Sequence, residues 1–200
     1  MKQFHLSMII YAALLGLCLA SCVTTAPEAM SHSRFRLRSD RFGSMCNVAS
    51  WNRIWTGGRP SIEDLDLAER RGIRHLVDLR LHTEVKSDGP GASRLDVLEV
   101  CTEFGLVCTF APLGEFGDDL ISDEAVDAAL RALSQDVPTL VICEDGTRGA
   151  LLLAIHNVLE EGISIQQACD AAYKVGVTKP EHAAFLRKQV ERLREQRVAQ

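Results

Sequence analysis

The sequence lacks the usual marks of metal, nucleotide and nucleic-acid binding. No C-x-x-C pair is present, and no Cys/His cluster has the spacing of a zinc site. No nucleotide-binding glycine loop stands out, so no metal or cofactor is expected. Charge of one sign is scarce: 22 Lys and Arg against 27 Asp and Glu give a net charge of −5. Setting aside residues 1–21, whose one charged side chain is Lys2, takes −5 to about −6, so nothing global favours nucleic acid. No internal repeat or low-complexity block occurs, which argues against a solenoid. What is present is a hydrophobic fraction of 46%, enough for a full core, with an ordinary charged fraction of 24%. A length of 200 residues fits one domain with additions.

The additions lie at the N-terminus. Lys2 and His5 precede an apolar run from Met8 to Ala20 that is too short and too one-sided for a membrane span. It ends in Leu19-Ala20-Ser21-Cys22, which resembles a bacterial lipobox. The resemblance implies a signal peptide over residues 1–21, cleavage before Cys22, and lipidation of that cysteine. Val23 in place of Asp then implies passage to the outer membrane, with the protein facing the periplasm on a lipid anchor. An ordinary secretory peptide is the alternative. Residues 22–45 carry Thr, Pro, Ser and Arg without a sustained period and read as a tether. Its Arg34-Phe35-Arg36-Leu37-Arg38 stretch suits a solvated linker or contact with anionic lipid. The folded domain is expected over residues 46–200.

Of seven cysteines, Cys18 leaves with the signal and Cys22 is the lipidation candidate. Five remain, so an exported chain keeps at least one free thiol, with Cys143 the candidate. Cys101 and Cys108 flank a turn and suit either a disulfide or two small core positions.

Within the domain, Trp51 to Thr56 reads as a strand and Gly57-Gly58-Arg59-Pro60 as a turn. Ser61 caps a helix through Arg71, with Asp64 at the capping-box position. Gly72 ends it, and Ile73 to Arg80 reads as an inner strand. After a glycine-bearing loop come a helix from Ala92 to Phe104 and a strand from Leu106 to Phe110. A long loop, Pro112 to Ile121, leads to a helix from Asp123 to Leu133 capped by Ser122. Thr139 to Ile142 is a buried strand after Pro138, followed by an Ala/Leu-rich helix to Glu161. Ser164 caps a further helix to Tyr173, and an amphipathic helix from Pro180 to Arg197 closes the chain. Strands alternating with helices imply an α/β fold with a mainly parallel central sheet flanked by helices. Ligands then bind beyond the carboxyl ends of the strands. Cys143, the Arg80 loop and the Pro112 loop all fall on that rim.

The stretch Cys143-Glu144-Asp145-Gly146-Thr147-Arg148 carries the chemistry. A cysteine at a strand's end, a turn glycine and an arginine entering a helix place the N–H groups of residues 144–148 and a helix N-terminus around the sulfur. Such a cradle stabilises an anion, whether a thiolate or a bound oxyanion. Arg148 adds a forked cation suited to oxyanions.

Four segments in order resemble the cysteine-dependent dual-specificity phosphatases. They are Ile54-Trp55-Thr56-Gly57-Gly58-Arg59-Pro60-Ser61, Val77-Asp78-Leu79-Arg80 with Glu84, Ala111-Pro112-Leu113, and the Cys143–Arg148 loop. Within that superfamily the chain is similar to the bacterial beta-lactamase-hydrolase-like branch, which carries a short C-x-x-G-T-R loop. The resemblance covers roughly residues 46–176 and implies a phosphotyrosine phosphatase-like fold. It makes Cys143 the nucleophile that forms a phosphocysteine, and residues Glu144, Asp145, Gly146, Thr147 and Arg148 the phosphate cradle, with Arg148 as clamp. The implied partner is a phosphorylated or other anionic substrate. The general acid is expected from the Pro112–Ile121 loop, with Asp118 first, then Asp119 and Glu115.

Four departures qualify the likeness. Four residues, not five, separate Cys143 from Arg148, the spacing of rhodanese sulfurtransferases. Ile142 stands where a histidine is usual, and Gly149 where a Ser or Thr hydroxyl is usual. Glu144 and Asp145 place two negative charges in an anion loop; turned inward they raise the Cys143 pKa and repel phosphate, turned outward they do little. The alternatives to a phosphatase are therefore rhodanese-like sulfur or thiol chemistry and a catalytically inactive anion-binding module. Arg59 and Arg80 either steer an anion or pair with Asp78 or Glu84. His75, His156, Trp51 and Trp55 read as packing residues, and the charged side of the last helix as a solvated face.

Overall fold

The computed structural model describes residues 38–39, 41–86, 94–114, 121–133 and 136–199. The signal segment, Cys22, Glu115, Asp118 and Asp119 lie outside the described residues. Six strands form one sheet: β1 (Arg38–Ser39), β2 (Ala49–Trp51), β3 (Ile54–Gly57), β4 (His75–Asp78), β5 (Val107–Phe110) and β6 (Thr139–Ile142). Their order is β1-β2-β3-β6-β4-β5. The run β3-β6-β4-β5 is parallel, and β1-β2-β3 is antiparallel. The helices are α1 (Ile62–Arg70), α2 (His82–Lys86), α3 (Arg94–Glu103), α4 (Asp123–Leu133), α5 (Thr147–Glu160), α6 (Ile165–Tyr173) and α7 (Pro180–Val198). The expected α/β architecture with a mainly parallel, helix-flanked sheet is what the chain adopts.

Helices cover both faces, as a parallel sheet requires. On one side Val77, Leu79, Val141 and Cys143 pack with α4, α5, α6 and α7. On the other Leu76, Leu140 and Ile142 pack with α1, α3 and the Phe42–Val48 segment. All four residues of β4 and of β6 are therefore buried, whereas edge strand β5 leaves Val107 63% exposed.

Capping chemistry places the helices. The Ser61/Asp64 and Ser164/Gln167 boxes are both fully formed. Burial raises the Asp64 pKa, but bonds from Ser61 and Ser44 outweigh it and hold the carboxyl below its ordinary value.

Three sequence expectations change. The single strand expected from Trp51 to Thr56 is a hairpin, because Asn52 takes φ 51° and turns the chain between β2 and β3. Helix α2 was not foreseen, since five residues are too few to show a helical period. Packed structure also extends N-terminal of residue 46: β1 pairs with β2, and Phe42 is fully buried.

His75 is buried with Nε2 2.7 Å from Thr109 Oγ1, as a packed histidine. Along α7, Arg187, Lys188 and Arg194 are exposed, but Arg192 leaves the solvated face to pair with Asp127 at 2.6 Å. Cys101 and Cys108 form no disulfide; the two thiols lie on the same core face, and Cys108 hydrogen-bonds the Cys101 sulfur.

Candidate active site

The parallel arrangement puts the ends of β6, β4 and β3 side by side, and the site is built there. Cys143 follows β6, is fully buried, and donates its backbone N–H to Gly57 O at 3.2 Å. The loop then turns at Gly146, whose φ of 89° favours glycine. A Cβ there would also lie 2.9 Å from Asn47 Cβ and from two backbone oxygens, so the position accepts no side chain. Helix α5 starts at Thr147 and aims its N-terminus back at the cysteine.

The Gly146 N–H donates to Cys143 Sγ at 3.1 Å. Arg148 lies beside the same sulfur and is 3% exposed. Its guanidinium donates to Glu84 Oε1 and Oε2 at 2.6 and 2.9 Å, and to Leu113 O at 2.6 Å. Burial works against the Arg148 charge, yet Glu84 and Cys143 together hold its pKa above the ordinary value. Leu113 opens the Pro112 loop, so Arg148 ties three segments together: α5, α2 and the start of the loop expected to bring the acid.

The two acidic loop residues separate. Glu144 is half-buried and pairs with Arg59, whose backbone N–H also donates to Glu144 O at 3.2 Å. Asp145 turns in. Its Oδ1 accepts from Thr147 N at 2.9 Å and from Thr147 Oγ1 at 2.6 Å, and lies 3.9 Å from Cys143 Sγ. Burial raises the Asp145 pKa, but the Thr147 bonds and Arg148 outweigh it, leaving the carboxylate below its ordinary range.

Burial pushes the Cys143 thiol above its ordinary pKa. Arg148 and the N–H groups of Gly149 and Gly146 oppose that rise, and Asp145 adds to it. The cradle expected to favour a thiolate is therefore outweighed in this resting arrangement.

Gly149 has a packing reason. A Cβ at that position would lie 3.0 Å from Thr56 Cβ and 3.6 Å from Val141 Cγ1. Thr56 is itself fully buried, with an Oγ1 that has no hydrogen-bond partner.

A cavity of about 240 Å³ opens over the loop, lined by Asn47, Glu144, Asp145, Thr147 and Arg148 on one side and Gly176, Thr178, Lys179 and His182 on the other. It reaches Asp145 but not Cys143. Burial lowers the His182 pKa, while Asp145 and Glu181 oppose that shift.

The loop residues named from sequence thus meet in one place. Sequence reasoning missed Glu84 as the partner of Arg148, and Asn47, whose Nδ2 donates to Asp145 O at 2.8 Å. Glu84 stood out as a residue but not as the partner of Arg148, because 64 residues separate the pair. Asn47 gave no signal, because its positive φ of 47°, which suits asparagine, shows only in the structure. Arg80 pairs with Asp78, while Arg59 pairs with Glu144, a partner not foreseen. Among the described residues no group of three or more His, Cys, Asp or Glu is arranged to hold a metal ion.

No protein-family model and no curated protein matches the chain. Solved structures do. A DUF442 protein from Shewanella putrefaciens superposes with a TM-score of 0.58 at 14% identity, over 74% of this chain and 91% of its own. TpbA from P. aeruginosa, crystallised with pTyr, gives 0.57 at 16% identity over 78% and 90%. The core catalytic domain of the PP-IP phosphatase SIW14 from S. cerevisiae, crystallised with citrate, gives 0.57 at 18% over 71% and 84%. The fold of this chain is that of the cysteine-dependent phosphatases.

Proposed function

We propose that the chain is a cysteine-dependent hydrolase of phosphomonoesters, held at the bacterial envelope by a lipid on Cys22. One observation carries the reading: on this fold, a buried cysteine at the carboxyl end of β6 receives the Gly146 N–H and shares its sulfur with a buried, forked Arg148. An anion bound there meets a helix N-terminus and a permanent cation.

Cys143 is the nucleophile. Its thiolate forms the S–P bond as the ester P–O bond breaks, and the leaving oxygen takes a proton from a carboxyl of the Pro112–Ile121 loop, Asp118 first. Water then cleaves the S–P bond and releases phosphate. Arg148 and the loop N–H groups hold the non-bridging oxygens throughout.

Turnover of a chromogenic phosphate monoester by the purified protein, abolished in Cys143→Ser, is the expected result. Wild-type protein without turnover, and without vanadate protection of Cys143 from alkylation, sinks the reading. For the anchor, Cys22→Ser is expected to move the protein from the membrane fraction to the soluble one; unchanged fractionation rejects it.

A further inference from the structure

The loop already holds an anion of its own. Glu144 and Asp145 are neighbours with the same charge, yet only Glu144 has an arginine to draw it away. The Asp145 carboxylate is folded over the start of α5. There it takes the Thr147 N–H and the Thr147 hydroxyl, donors of the kind a ligand oxygen meets at a helix N-terminus. The same Oδ1 is 3.9 Å from the Cys143 sulfur. Asp145 lines the cavity with Thr147 and Arg148, whereas Cys143 is fully buried and does not line it.

We propose that Asp145 is a resident oxyanion of the Cys143 loop, which a substrate must displace and which sets the loop to favour singly charged oxyanions over dianions. The proposal rests on the oxyanion-cradle reading above and adds its charge selectivity. Two effects combine. Donors that Thr147 gives to Asp145 are withheld from an incoming ligand until the carboxylate leaves. A fixed negative charge this close also repels a dianion about twice as strongly as a monoanion, because Coulomb energy scales with the product of charges. Lys179, across the same cavity, offers the displaced carboxylate a cationic neighbour.

The two effects separate by substitution. Asp145→Asn keeps an oxygen that accepts from Thr147 but drops the charge. Asp145→Ala drops both. Calorimetric titration of wild type and both variants with inorganic sulfate, a fixed dianion, and nitrate, a fixed monoanion, reads them out. The like-charge scale of one pKa unit or more predicts that sulfate binds about tenfold or more tighter in Asp145→Asn. Nitrate is expected to gain less. Asp145→Ala is expected to tighten both beyond that. Because Asp145→Asn keeps an acceptor for Thr147, the test survives if Asp145→Ala misfolds. An unchanged sulfate-to-nitrate ratio in Asp145→Asn overturns the proposal while leaving the cradle intact. Binding of neither anion by any of the three proteins overturns the cradle reading, and this proposal with it.

Discussion

Two bidentate arginine–carboxylate pairs lie near the carboxyl ends of neighbouring strands. Arg80 grips Asp78 through Nε and an NH2 group at 3.1 and 3.0 Å, with both side chains 1% exposed. Arg148 grips Glu84 with two bonds of similar length, at 3% and 16% exposure. The Asp78 pair closes over two residues and also receives the Arg80 N–H, so it shapes the exit of β4. The Glu84 pair spans 64 residues and holds a cation against the Cys143 sulfur. Burial and bidentate geometry therefore do not mark a functional arginine. What separates the two is the Cys143 sulfur beside Arg148.

The largest effects test that difference. Removing one partner of a buried pair strands the other, at a cost of about 3–5 kcal/mol. Arg148→Ala and Arg80→Ala are both expected to lose stability on that scale in urea unfolding. Turnover of a phosphate monoester, expressed per folded molecule, is expected to vanish in Arg148→Ala and persist in Arg80→Ala. Equal loss in both would mean that Arg80 also serves the site and that the contrast is false. Arg148→Lys, which keeps the charge without the fork, is expected to recover stability better than turnover.

A smaller effect probes the packing beneath the Cys143 loop. Gly149→Ser drives a Cβ to within 3.0 Å of Thr56 Cβ, an atom fixed to the β3 backbone that cannot swing away. Overpacking of this kind costs about 1–3 kcal/mol. Combining it with Thr56→Gly moves a hydroxyl across the interface and vacates the clash. The double variant is expected to be more stable than the sum of the single costs by about 1 kcal/mol, measured as a double-mutant cycle. Simple additivity would show that Thr56 is not what keeps position 149 a glycine.

The same contrast shows what was legible in the sequence. The Asp78-Leu79-Arg80 run and the Cys143–Arg148 loop are each contiguous, and local rules sufficed for them: a β-branched run for β6, an Ala/Leu-rich run for α5, a serine box for α1. Glu84 was visible as a residue but not as a partner, because only the parallel crossover brings α2 over α5. Asp118 is named as the acid only from its place in the Pro112–Ile121 loop; no motif selects it over Asp119 or Glu115, and all three lie outside the described residues. The direction of Glu144 and Asp145 was open from sequence, since either charge could face the cysteine; the β3 end settles it by bringing Arg59 to Glu144. The Asn52 hairpin was lost because a two-residue turn breaks no hydrophobic pattern.

Acid–base linkage gives the next test. Cys143 has a folded pKa above its unfolded value because burial disfavours the thiolate. A raised pKa contributes stability that is fully present below the unfolded value of about 8.5 and is lost as pH rises through the folded one. Wild-type protein is therefore expected to lose stability relative to Cys143→Ser on going from pH 7 to pH 10. Parallel stability–pH curves for the two proteins would place the thiol in a less buried setting than Arg148 and Gly146 define. Cys169, whose pKa burial also raises, is common to both and cancels in the difference.

The smallest expected effect comes from the third arginine of the rim. Arg59 pairs with Glu144 like the other two, but the side chains are 38% and 39% exposed. Water screens such a pair, and its median worth is about 0–1 kcal/mol. Arg59→Ala is expected to change the unfolding midpoint by that little, and by still less at high salt. Its interest lies in Glu144, which loses the partner that holds its charge away from the sulfur. A modest slowing of Cys143 alkylation with unchanged stability would show that Arg59 acts on the loop's charge pattern and not on the fold. A stability loss as large as that of Arg80→Ala would instead mean that exposure does not rank these three pairs.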